Sequence, residues 1–146
     1  MTIIEKLALQ AWLDVKPLLQ YAYTFDRNSA SDRSLHGTVK GLYFFVNPGD
    51  EPDVGKCIYV GETFTSLKYF GIQTRIRNHK QSLRDPSWKV ELTGRKFIAS
   101  GLSLDMKLDL WYVDANALGI NDKQSSKSME QLVQKHLKPV VWADIK

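Results

Sequence analysis

Gly41-Leu42-Tyr43-Phe44-Phe45-Val46, the turn-forming Asn47-Pro48-Gly49-Asp50, and then Cys57-Ile58-Tyr59-Val60-Gly61 make up the stretch that decides how this chain folds. The two outer runs are aromatic and β-branched, and Pro52 and Gly55 add to the turn residues between them. The pattern predicts a β-hairpin with a long loop. Opposed side chains on antiparallel strands approach to roughly 5 Å, so Tyr43 and Tyr59 share one face if the register allows. Gly41 opens the first strand and Gly61 closes the second, where backbone must turn or admit a close neighbour.

Upstream, Thr2-x-x-Glu5 has the form of a capping box, and Ile4, Ala8, Trp12, Val15 and Leu19 recur at helical spacing. Residues 3–20 therefore read as an amphipathic helix that covers the core. Residues 21–37 are polar and read as a connecting loop. Downstream, Ile72, Ile76, His79 and Leu83 form one stripe of a helix, with Arg75 at its rim and one turn from His79. Residues 86–105, with Pro86, Gly94 and Gly101, read as an insertion. Met106, Leu108, Leu110 and Tyr112 alternate with Lys107, Asp109, Trp111 and Val113, a third strand. After a loop over Gly119 to Lys127, Met129, Leu132, Val133, His136 and Leu137 line a last helix, with Glu130 at the border of its buried face.

A chain of 146 residues, 43% hydrophobic, can bury one core of ordinary size, so a single domain over residues 1–146 is expected. No apolar stretch has the length of a membrane span, the N-terminus lacks the pattern of a signal peptide, and the lone Cys57 forbids an internal disulfide framework. These features point to the cytoplasm and away from membranes. Cys57, inside an apolar strand, reads as a buried structural thiol. The histidines His36, His79 and His136 show no zinc-ligand spacing. The net charge of +4 is unevenly spread: Arg75, Arg77, Lys80, Arg84, Lys89, Arg95 and Lys96 stand against Asp85 and Glu91 in one segment. Such a patch is the footprint of a phosphate-backbone partner, although a solvated helix face has the same composition.

Together these residues resemble the GIY-YIG endonuclease superfamily, most closely its small restriction-enzyme and phage-endonuclease branch. Gly41-Leu42-Tyr43 looks like the first signature and Tyr59-Val60-Gly61 like the second; Arg75, His79 and a late Glu followed by a Pro come in the family's order. The resemblance spans about residues 38–143, with residues 1–37 as a helical extension. It implies an α/β (α+β) fold: a small mixed or antiparallel three-stranded sheet flanked by helices, with an extra N-terminal helix. The chain departs from the pattern in a longer loop between the signatures and in its ending. Pro139-Val140-Val141-Trp142-Ala143 resembles a Pro-x-Trp-Asn motif, with Ala143 or Trp142 where Asn would stand. Asn121 and Gln134 are the amides that could take its place.

What the resemblance implies chemically is a Mg²⁺-dependent hydrolysis of DNA phosphodiesters, with Mn²⁺ as an alternative ion. Tyr43 and Tyr59 would orient or deprotonate the attacking water, Arg75 would stabilise phosphoryl charge, His79 would assist proton movement, and Glu130 would hold the metal. A hard cation that keeps most of its waters suits one carboxylate plus substrate phosphate, and one well-placed acid implies one metal. A free tyrosine has a pKa near 10, so it accepts a proton near neutrality only with cations beside it. Arg77, Lys80, Arg84, Lys89, Arg95 and Lys96 would contact DNA. The rival reading is a DNA-binding protein of this fold with impaired cleavage, and the oligomeric state, monomer or homodimer, is left open.

Overall fold

The computed structural model describes residues 1–25, 39–63, 100–102 and 106–142. Helix α1, Ile3–Val15, starts at a complete capping box: the Thr2 hydroxyl accepts from the Glu5 N–H at 3.1 Å and the Glu5 carboxylate accepts from the Thr2 N–H at 3.1 Å. That reciprocal pair satisfies two of the orphan donors of the first turn. The helix stops earlier than its apolar spacing predicts. Pro17 sits in a 3₁₀ turn, Lys16–Leu18, and the chain then enters a strand, β1, Gln20–Phe25.

Four strands form one antiparallel sheet in the order β1-β4-β2-β3, with β2 at Gly41–Val46, β3 at Cys57–Glu62 and β4 at Leu108–Asp114. The expected three-stranded sheet is thus four-stranded among the described residues. The extra strand is Gln20–Phe25, where the apolar spacing predicts helix to residue 20 and polar loop from residue 21: Pro17 ends the helix early, and six residues are too short a run for the strand period to stand out. The N-terminal segment therefore pairs with the sheet as well as covering it.

The two faces of the sheet bury different sets of side chains. Leu42, Phe44, Val46, Cys57, Val60 and Val113 pack under α1 and under α2, Lys123–Leu137, through Ala11, Trp12, Val15, Val133 and Leu137. Each such Val, Leu or Phe contributes about 1.5–3 kcal/mol by leaving water. Trp12 meets Phe44 edge-on at 6.1 Å and stacks on His136 at 6.5 Å, which joins the two helices. Tyr23, Tyr43, Phe45, Tyr59, Leu108 and Leu110 line the other face.

Helix α2 is capped by Asp122, whose carboxylate accepts from the Ser125 N–H and hydroxyl, both at 2.8 Å, and so starts inside the stretch Gly119 to Lys127 that the sequence predicts as loop. It ends at Lys138, in the left-handed region at φ 54°, before Pro139, which cannot continue a helix. The following residues run beside the sheet edge: the Val141 N–H donates to the Ile58 carbonyl at 2.8 Å, and Tyr59 and Val141 form a parallel bridge. Covering β3 in this way protects an edge that would otherwise template aggregation. No helix among the described residues is long and apolar enough to cross a membrane.

Candidate functional site

The position of Tyr59 depends on one irregularity. Val46 pairs with Cys57, but Phe45 pairs with Tyr59, so Ile58 is an extra residue in β3. Strict alternation from Cys57, which faces the helices, would turn Tyr59 toward the helices too. The bulge resets the alternation. Tyr59 consequently shares a face with Tyr43, the ring centroids 6.0 Å apart and the planes tilted by 32°. Phe45 completes the cluster at 6.0 Å from Tyr43 and 6.2 Å from Tyr59.

Each glycine of the two tripeptides has a specific steric task. Gly61 lies opposite Tyr43 in the ladder, and a Cβ there would fall on the Tyr43 phenol at Cζ and Oη. The missing side chain lets the Tyr43 ring lie across β3. At Gly41 the backbone is at φ 154°, and a Cβ would run into the Val113 carbonyl oxygen. Thr63 fastens this corner, its N–H donating to the Gly41 carbonyl and its hydroxyl accepting from the Gly41 N–H, each at 3.1 Å.

Both tyrosines are buried, Tyr43 at 1% and Tyr59 at 3% exposure. Burial of the rings is also what core packing requires; a reactive phenol is distinguished by the neighbours of its hydroxyl. Arg75 and His79, the cations expected beside them, lie outside the described residues, as do Arg77, Lys80, Arg84, Lys89, Arg95 and Lys96, most of the 86–105 insertion and Ala143.

Glu130 is on α2 and is more deeply buried than its border position predicted, at 2% exposure. The Gln134 amide donates to its Oε1 at 3.2 Å, and Lys127 Nζ approaches the same oxygen at 3.4 Å. Of the two amides that could replace the missing Asn, Asn121 is exposed and Gln134 is buried against the carboxylate. The helix carrying Glu130 packs on the face opposite the tyrosines. A site that uses all three must form around the β3 edge.

Glu62 lies outside the set of site residues that the sequence motifs point to. It ends β3 at 5% exposure, and the Ser126 hydroxyl donates to its Oε2 at 2.7 Å. The signal was present: a charged residue two positions after the core-facing Val60, in an otherwise apolar strand. Other polar groups have structural partners, as with Asp109, whose oxygens accept from the Thr24 hydroxyl at 2.8 Å and the Gly49 N–H at 2.9 Å. Among the described residues no three acidic, His or Cys side chains converge into a ready metal cage. No protein-family model, no curated protein and no solved structure matches the chain.

Proposed function

We propose that this chain is a GIY-YIG-type DNA endonuclease, dependent on Mg²⁺ or Mn²⁺. The observation that carries the reading is the pairing of Tyr43 with Tyr59, brought about by the Ile58 bulge and by the space above Gly61. A plain core would obtain the same burial from Phe at either place and would need no glycine beneath the ring.

In this reading one tyrosine, ionised to its phenolate, accepts the proton of the attacking water. Burial disfavours a phenolate, so Arg75 and His79 must offset the charge, and Arg75 also meets the phosphoryl oxygens. Support for the metal is chemical: Mg²⁺ asks for one or two carboxylate oxygens alongside water and phosphate, and Glu130 is a carboxylate that can supply one. Glu130 would hold it, and when bound it polarises the phosphate and offsets the charge on the departing oxygen. Gln134 and Lys127 hold the Glu130 carboxylate in place. The segment from Arg75 to Lys96 meets the DNA backbone. The ending Trp142-Ala143 favours a second reading, a DNA-binding protein of this fold that cleaves poorly.

Supercoiled plasmid with and without Mg²⁺ separates the two. The wild type is expected to nick in a metal-dependent way, and Glu130→Ala to lose nicking while retaining DNA binding. Full Mg²⁺-dependent nicking by Glu130→Ala removes that residue from the site; tight binding without nicking at any Mg²⁺ or Mn²⁺ concentration establishes the second reading.

A further inference from the structure

Glu62 stands at the end of an apolar strand, opposite Leu42 in the ladder and in phase with Val60, which faces the helices. Both members of the Glu62–Ser126 pair are buried, and their bond is short. As a mere tether of α2 to the sheet this is a poor choice. A carboxylate loses its hydration on burial, and apolar side chains of similar volume hold a helix at least as well. Val133 and Leu137 already do so against the sheet.

A short charge-assisted bond adds what apolar contact lacks, which is direction. Side chains packed through apolar surface tolerate a small roll of the helix about its axis; a 2.7 Å bond between a strand and a helix does not. The direction matters because of where the two ends sit. Ser126 is four residues before Glu130, so the two side chains lie one above the other on the same face of α2. Glu62 directly follows Gly61, against which the Tyr43 ring rests, and is three residues beyond Tyr59. The tyrosine pair is therefore linked through Gly61 and the adjoining Glu62 to Ser126, and Glu130 stands one turn further along the helix that carries Ser126.

We infer that Glu62 is a positioning residue: through Ser126 it fixes the rotation of α2 against β3, so that the Glu130 carboxylate is held in register with Tyr43 and Tyr59 across the β3 edge. The inference rests on the endonuclease reading, for which it names the element that unites the two faces of the sheet.

The test uses the full chain and three readouts: Mn²⁺ binding, followed by the electron paramagnetic resonance of the free ion; the Mg²⁺ concentration for half-maximal nicking of plasmid; and thermal unfolding. Ser126→Ala removes the donor. Glu62→Gln keeps an oxygen that accepts from Ser126, and Glu62→Leu keeps neither charge nor acceptor. Ser126→Ala and Glu62→Leu are each expected to weaken Mn²⁺ binding about tenfold and to raise the Mg²⁺ requirement in parallel. Glu62→Gln stays within about twofold of the wild type, and Ser126→Ala combined with Glu62→Gln is no worse than Ser126→Ala alone, as two members of one contact require. If Glu62→Leu fails to fold, the contrast between Ser126→Ala and Glu62→Gln still decides. A lower unfolding temperature with unchanged Mn²⁺ affinity makes the pair a structural tether and overturns the inference. So does a loss in Glu62→Gln with none in Ser126→Ala, which would assign the effect to charge. A wild type that neither binds Mn²⁺ nor nicks plasmid overturns the endonuclease reading and this inference with it; a wild type that does both while Ser126→Ala matches it overturns this inference alone.

Discussion

At the scale of single residues, the fit of Tyr43 over Gly61 is a sterically sensitive point. A methyl at position 61 has nowhere to go except into the phenol, so Gly61→Ala must displace the ring or the strand, an overpacking that costs about 1–3 kcal/mol. Tyr43→Phe removes one oxygen and leaves the packing. If the hydroxyl takes part in proton transfer, Tyr43→Phe should nick at least about 100-fold more slowly with nearly wild-type thermal stability, whereas Gly61→Ala should lose both. Equal nicking by Tyr43→Phe and the wild type would make Tyr43 a core residue. Cys57 gives a second residue-scale expectation. Burial pushes its thiol from 9.0 up to about 12. Because the folded state holds the proton more tightly, the contribution of this group to stability is complete below about pH 9 and declines as pH rises toward 12. Denaturation midpoints of the wild type and Cys57→Ala, followed from pH 8 to 11, should converge, and the native thiol should resist alkylation at pH 8 until urea exposes it.

At the scale of elements, α2 carries both the proposed ligand and the group that steadies it. Gln134, one turn beyond Glu130, holds the carboxylate oxygen from within the helix, where the resemblance would have supplied an Asn after the helix. Gln134→Leu keeps the volume but leaves a buried carboxylate short of a donor, which costs about 1–3 kcal/mol, and nicking should fall at least tenfold at limiting Mg²⁺. Asn121→Ala, at an exposed position, should be silent. Ala143→Asn should restore the Gln134→Leu variant more than it improves the wild type. Nicking by Gln134→Leu at the wild-type rate would show that the amide is dispensable. The ends of both helices follow from local sequence alone. Hydrogen bonds that the Glu5 carboxylate accepts from Thr2 hold it below its usual range, and those from Ser125 do the same for Asp122, so the capping contribution of each is lost only as pH falls through those lowered values.

At the scale of the whole molecule, the uneven charge is the property that bears on DNA. If the Arg75 to Lys96 segment meets the phosphate backbone, replacing Lys80, Arg84 and Lys89 together by Gln should lower the slope of log affinity against log salt by roughly 3, at about 0.9 per lost phosphate contact. An unchanged slope would place the DNA on another surface. The fold itself was largely legible: the hairpin, the strand around Leu110, the capping box and the final helix all come from periods and turn residues that act over a few positions. What tertiary structure alone decided is more specific. Gln20–Phe25 is a strand because β4 has an open edge for it, and a six-residue run cannot announce a partner 85 residues away in its register, as Thr24 and Asp109 are. Tyr59 faces Tyr43 because the pairing with β2 absorbs Ile58 as a bulge, a choice made between strands and invisible along one of them. Glu62 and Glu130 are buried because the helix docks on that side of the sheet. Local sequence thus determined the hairpin, the strand around Leu110 and the two helices, since caps, turns and periods are short-range; the extra strand, the faces, the register and the burial of charge were decided by the contacts those elements make with one another.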